Sequence, residues 1–221
     1  MSSSIEQAIT CPACGLKQTM QLWESVNVTL NPELKQRVLQ RDLNHFACTG
    51  CGHRAAIASN LLYHDMERKL MLWLVPQADG QASHSVDMDP QLGKLAETYK
   101  LRLLGSYNAL LEKIRIFEDD QNDCFVELLK LVVEAQGETP GAKRLLYGGL
   151  REVGDDDFEY QILFLELVKD GPPMEYALPL DEMKTLLWDR FPDDVFHPIG
   201  SGQWPVIDRQ YAAKCFEEAA P

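Results

Sequence analysis

Six cysteines stand in a chain of 221 residues, at positions 11, 14, 48, 51, 124 and 215. Four of them form two pairs, Cys11-Pro12-Ala13-Cys14 and Cys48-Thr49-Gly50-Cys51, each followed by a glycine. Two intervening residues let one turn aim both sulfurs at a single ion. A glycine next in line tolerates the left-handed backbone that brings amide N–H groups toward the thiolates. With 33 residues between the pairs, the four thiolates complete a tetrahedral shell. Zinc suits that shell, having no geometric preference beyond the tetrahedron and binding thiolate at about 2.3 Å. Cys11, Cys14, Cys48 and Cys51 are therefore the expected ligands of Zn2+. Four thiolates leave no open position for water, so the ion is expected to hold the fold rather than to act on a substrate.

Three other chemistries use paired cysteines. Two disulfides require an oxidising compartment, and nothing marks the chain for export. A thioredoxin-like redox centre uses one pair that follows a strand and opens a helix, whereas both pairs here precede strand-like runs. A rubredoxin-like iron site has the same ligand set and is the main rival to zinc. The segment between the pairs is unlike a rubredoxin core, and no flavin or haem partner domain is evident.

Other chemistry-bearing residues have plainer readings. His45 and His53 flank the second pair as surface groups or as donors to sulfur. His64 and Asp65 fall in an expected hairpin turn, where Asp bonds the local backbone. The runs Glu118-Asp119-Asp120 and Asp155-Asp156-Asp157 read as solvated turns, with a divalent-cation site as the alternative. His84 lies in a linker, and His197 in a loop with Phe191, Phe196 and Trp204 nearby in sequence. Cys124 and Cys215 sit among apolar residues as buried thiols. No phosphate-binding glycine loop, dinucleotide fingerprint, zinc-protease helix or nucleophile elbow occurs. No catalytic residue is assigned.

The elements that position these residues follow from periodicity and punctuation. Residues 18–28 read as a strand after the first pair, with Met20, Leu22, Val26 and Val28 among its apolar members. Asn31-Pro32-Glu33 starts a helix whose stripe is Leu34, Val38, Leu39 and Leu43. Residues 55–62 and 70–75 read as a β-hairpin around the turn 63–69. Residues 77–90 are small and polar, a linker. From Pro90, the spacing of Leu92, Leu95, Ala96, Tyr99, Leu103, Tyr107, Leu110, Leu111 and Ile114 predicts a helix to about residue 116, roughly 38 Å long. A second helix is predicted from Asn122 to Gln136, making an antiparallel hairpin with the first. Strands follow at 145–153, 158–168 and 175–178, then helices after Asp181 and after Asp208. The expected fold class is α+β: a zinc-ribbon-like domain with a helical insertion at 1–76, a linker at 77–90, a long helical hairpin at 91–137, and a small acidic mixed region at 138–221.

The paired cysteines resemble those of the CpXC domain family of bacterial and archaeal proteins. So do Trp23-Glu24-Ser25-Val26-Asn27-Val28, Asn31-Pro32-Glu33-Leu34, Leu62-Tyr63-His64-Asp65, and residues 69–76. The resemblance covers about 9 to 130, through Leu110-Leu111-Glu112-Lys113-Ile114-Arg115-Ile116-Phe117. The second pair departs from the pattern, with Thr49 where a proline would follow the first cysteine; all four sulfurs remain. The resemblance implies zinc and a prokaryotic cytoplasm, and supplies no reaction.

Charge narrows the partners. The chain carries 34 acidic and 21 basic side chains, a net charge of −13. Residues 1–76 hold seven basic and six acidic residues and the remainder 14 and 28, so the acidity lies in the second part. That part repels phosphate backbones. No apolar run is long enough to span a membrane, and the start has neither a charged n-region nor an apolar h-region, so a cytoplasmic location is expected. The leading expectation is a non-catalytic protein-interaction or scaffold protein, with a homodimer through the long helix as one form. One alternative is a nucleic-acid-binding ribbon, which requires Trp23, Trp73, Arg54, Arg68 and Lys69 to gather on one face. Another is an enzyme with a carboxylate metal site at Asp155 to Asp157.

Overall fold

A computed structural model describes residues 1–77, 98–135, 145–154, 159–168, 171–198 and 204–219. Its class is mixed α+β, with three sheets and six helices among the described residues. The chain packs as two compact units, Met1–Leu111 with Gly200–Pro205, and Glu112–Ile199 with Val206–Pro221.

In the first unit, β1 (Ser3–Thr10) and β2 (Lys17–Asn27) form an antiparallel hairpin whose connection carries the first cysteine pair. After α1 (Pro32–Leu39), β3 (His45–Ala47) and β4 (Arg54–Ala56) make a second, smaller hairpin whose connection carries the other pair. β5 (Leu61–Asp65) and β6 (Leu70–Leu74) pair antiparallel, and β7 (Lys100–Leu104) runs parallel to β6. β5 also pairs in parallel with the end of β2, so one five-stranded sheet has the order β1-β2-β5-β6-β7. Its centre is apolar on both faces: Leu61, Tyr63, Leu70, Leu72, Leu74, Leu101, Leu103 and Leu104 are all buried. Such a doubly covered strand is a continuous hydrophobic run, which is how Leu70 to Leu74 reads. α1 begins at Pro32, whose fixed φ suits a first helical position, and buries Leu34 and Val38.

In the second unit, α2 (Tyr107–Glu118), which begins in the first, leads through a four-residue link to α3 (Asp123–Ala135). β8 (Leu145–Val153), β9 (Glu159–Glu166) and β10 (Met174–Pro179) form an antiparallel meander of order β10-β9-β8. α4 (Leu180–Arg190), α5 (Asp193–Phe196) and α6 (Arg209–Glu218) complete the unit. Phe125, Leu128, Leu129, Ile162, Phe164, Leu187 and Phe196 form its buried core. The carboxylate of Asp208 caps α6, accepting from the N–H groups of Gln210 and Tyr211.

The long helix expected from Pro90 is corrected. Residues 100–104 are a strand, and α2 is only 12 residues long. The spacing of Tyr99, Leu103 and Tyr107 mimics a helical face. Leu101, Arg102, Leu103 and Leu104, however, are all buried, as a strand covered on both faces requires. The Gly105-Ser106 break then starts a new element, with Ser106 Oγ accepting from Ala109 N–H at 3.2 Å. Residues 90–97 of that expected helix lie outside the described residues. β1 was not anticipated, and residues 55–62 divide between β4 and β5. His64 and Asp65 therefore belong to a strand, not to the turn.

Candidate metal centre

The two loops that carry the cysteine pairs are built alike. In the first, Cys11 N–H donates to Leu16 O at 2.9 Å and Gly15 N–H to Cys11 O at 2.9 Å. In the second, Cys48 N–H donates to His53 O at 2.8 Å and Gly52 N–H to Cys48 O at 2.9 Å. Gly15 and Gly52 adopt φ of +75° and +73°. A Cβ at either would meet nothing within 4 Å, so conformation rather than space demands glycine there.

The loops face each other. All four Sγ atoms lie within 4.8 Å of one another, with Cys11 at 3.7 Å from Cys51 and Cys14 at 3.6 Å from Cys48. Sulfurs about 2.3 Å from the centre of a tetrahedron stand about 3.8 Å apart, so the spacing fits one ion of zinc's size. Cys11 and Cys48 are buried with Phe46, against Ile9, Met20 and Ile57, while Cys14 and Cys51 are exposed. The cluster thus has an apolar floor and an open rim.

The backbone N–H groups of the loops and the crowding of the sulfurs act on the thiols in opposite directions. The N–H of Cys51 points at the Cys48 sulfur and, with that of Gly50, lowers the Cys48 pKa to about 6 although burial opposes this. Cys14 moves the other way: the Leu16 N–H favours its thiolate, but crowding by the sulfurs of Cys51 and Cys48 pushes it up to about 12. Cys51 is also raised, despite the N–H of His53. Cys48 is thus favoured as thiolate while Cys14 and Cys51 are pushed toward the thiol, and a cation among the sulfurs would favour the thiolate form.

A family model described as CpXC protein matches residues 9–130, more than half of the chain and all four clustered cysteines. The chain belongs to the CpXC family. No curated protein and no solved structure matches it. The CpXC match takes in both cysteine loops and ends within α3, so β8 and everything after it lie beyond the matched span.

Other expected residues fall as follows. His45 is exposed on β3, and His53 serves the cluster through its backbone. His64 on β5 has Nδ1 3.4 Å from Asn27 Nδ2 and Nε2 3.4 Å from the Tyr99 hydroxyl, and burial lowers its pKa. Asp65 is buried, and its Oδ1 accepts from Arg68 N–H at 3.0 Å across the β5–β6 turn. Asp119 Oδ2 accepts from the Tyr147 hydroxyl at 2.9 Å, a packing role. His197 is exposed, with Nε2 3.8 Å from Asp193. Cys124 and Cys215 are buried, and burial raises the Cys215 pKa. His84 and Asp155 to Asp157 lie outside the described residues. Among the described residues, the cysteines are the one group of three or more candidate metal ligands drawn together.

The sequence reading missed two things. Gln18 reaches from β2 to the second cysteine loop. In the other unit, a chain of charges runs between α2 and α3: the buried Asp123, Lys113, Glu127 and Lys130 and the partly buried Glu112 alternate in sign. Lys113 Nζ lies 3.1 Å from Asp123 and 3.2 Å from Glu127, and Lys130 Nζ lies 3.1 Å from Glu127 and 2.8 Å from Glu112. Glu112 Oε1 also accepts from Tyr147 N–H at 2.6 Å. The i, i+3 spacing of Glu127 and Lys130 was the visible signal.

Proposed function

We propose that this CpXC protein binds one structural zinc ion through Cys11, Cys14, Cys48 and Cys51, in a zinc-ribbon arrangement, and acts as a non-catalytic scaffold for protein contacts. One observation carries the reading: two cysteine loops of the same backbone design, each closing a β-hairpin, bring four sulfurs to tetrahedral spacing. A closed four-thiolate shell has no site for substrate or water. The ion is instead a cross-link between hairpins too small to hold each other by apolar contact. The product of that cross-link is a rigid β1–β2 hairpin at one edge of the sheet, with most of β1 exposed. Exposed edges are the surfaces by which extended segments of other proteins dock.

The nucleic-acid alternative gains no support. Trp73 packs edge-on against Trp204 at 5.5 Å, and Arg68 Nε lies 4.0 Å from Asp65. Arg54 is in the small hairpin beside the cysteines, while Lys69 is in the β5–β6 turn. The dimer through a long helix loses its premise, because α2 is short and buries Leu110, Ile114, Ile116 and Phe117. Native mass spectrometry with elemental analysis tests the reading. One zinc per chain is expected, absent after Cys11→Ser or Cys48→Ser. Iron, or a metal surviving both substitutions, overturns it.

A further inference from the structure

We infer that Gln18 is the positioning residue of the metal centre: its carboxamide docks the second cysteine loop onto the first hairpin, in a bond that a proline at position 49 would forbid. The inference rests on the four-thiolate reading above. Gln18 pairs with Ile9 across the β1–β2 hairpin, so both side chains share the face that floors the cysteines. From there it spans to the backbone on either side of Cys48. Its Nε2 donates to Ala47 O at 2.8 Å, and its Oε1 accepts from Thr49 N–H at 3.0 Å, with the Thr49 hydroxyl at 3.4 Å. One partner is an acceptor and the other a donor, so the amide has one workable orientation.

This clamp gives a reason for a residue with a backbone N–H, rather than proline, at 49. The two loops share one backbone pattern, and the first has Pro12 after its leading cysteine. Proline is therefore compatible with the loop geometry at that place. It has no N–H, however, and would leave the Gln18 oxygen without its backbone donor. Gly50 fits the same docking: a Cβ there would come within 2.9 Å of Leu16 Cδ2 and stand 3.8 Å from Cys48 Sγ and 3.9 Å from Cys14 Sγ. The second loop is seated against the first hairpin by the Gln18 amide and the Gly50–Leu16 approach, and this seat positions the sulfurs alongside the ion.

The test is a double-mutant cycle on the full chain, read by Co2+ thiolate charge-transfer absorption and by the rate of Zn2+ transfer to a chromogenic chelator. Gln18→Ala is expected to speed transfer about tenfold, the worth of one to two hydrogen bonds, and to alter the Co2+ spectrum. Thr49→Pro should do the same alone and add little to Gln18→Ala, whereas Thr49→Ala, which keeps the N–H, should stay within about twofold. Additive effects of Gln18→Ala and Thr49→Pro, or an unchanged rate and spectrum in Gln18→Ala, overturn the clamp. A wild-type chain that shows no thiolate charge transfer overturns the metal reading instead.

Discussion

At the scale of single residues, the cysteine cluster separates what conformation demands from what space demands. Gly15 and Gly52 have room for a side chain but sit at positive φ, so alanine there pays only backbone strain, about 1 kcal/mol each. Gly50 is the reverse case, without positive φ but with Leu16 Cδ2 in the way. Leu16 is 41% exposed and its terminal methyl can swing aside, so Gly50→Ala should cost less. Chemical denaturation of the zinc-loaded chain is the measurement, and a Gly50→Ala loss exceeding that of Gly15→Ala would show that the Leu16 contact is rigid. The cysteines themselves divide by burial. Serine at Cys11 or Cys48 places a hydroxyl on the apolar floor beside Phe46 as well as removing a ligand. Serine at the exposed Cys14 or Cys51 removes only the ligand. Both classes should lose zinc, but the buried pair should also lose more stability in metal-free protein.

At the scale of elements, the buried charges between α2 and α3 are the feature most sensitive to one substitution. Lys113 is the cation between Asp123 and Glu127, all three side chains being under a tenth exposed. Lys113→Met removes the buried cation that Asp123 and Glu127 share, leaving Glu127 paired with Lys130; breaking a buried pair costs about 3–5 kcal/mol, and urea unfolding should show a loss of that order. Acid should act on the same chain. Burial alone would raise the Glu127 carboxyl, but Lys130 and Lys113 hold it below its ordinary value of 4.5. Its contribution is complete above 4.5 and is lost as pH falls through the lowered folded value. Lys130 is the mirror image. Burial opposes its charge, yet Glu127 and Glu112 raise it above 10.5, so its contribution persists until pH rises through the raised value. Sequence reading located α1, α3, β8, β9 and α6, because each has a cap, a turn or an apolar face of its own. It failed at β1 and β7 for a shared reason. Ser3–Thr10 is mostly exposed and carries little apolar pattern, and Leu101 to Leu104 is buried throughout. Neither alternates, and both owe their form to a neighbouring strand. The four clustered cysteines were legible because the spacing within each pair is local. Gln18 was not, because its partners are 29 and 31 residues away and one of them is a bare carbonyl.

At the scale of the whole molecule, two kinds of cohesion meet in one chain. The unit from Glu112 onward has a large apolar core, from Ile116 through Phe164 to Ala212, built without any of the four clustered cysteines. In the other unit, β5, β6 and β7 bury their own leucines, but the cysteine hairpins hold only a small cluster around Phe46. Metal removal should therefore be local in its effect. Hydrogen exchange after treatment with a strong chelator should show protection lost across Ser3–Thr10 and His45–Ala56 and kept in β5 to β7, α3, β8 and β9. Lowering the pH should release the ion by the same route, since each thiolate must take up a proton as the metal leaves, so affinity falls with acidity. Cooperative unfolding of the entire chain on chelation would mean instead that the ion stabilises both units, and that the core beyond Glu112 cannot stand without it.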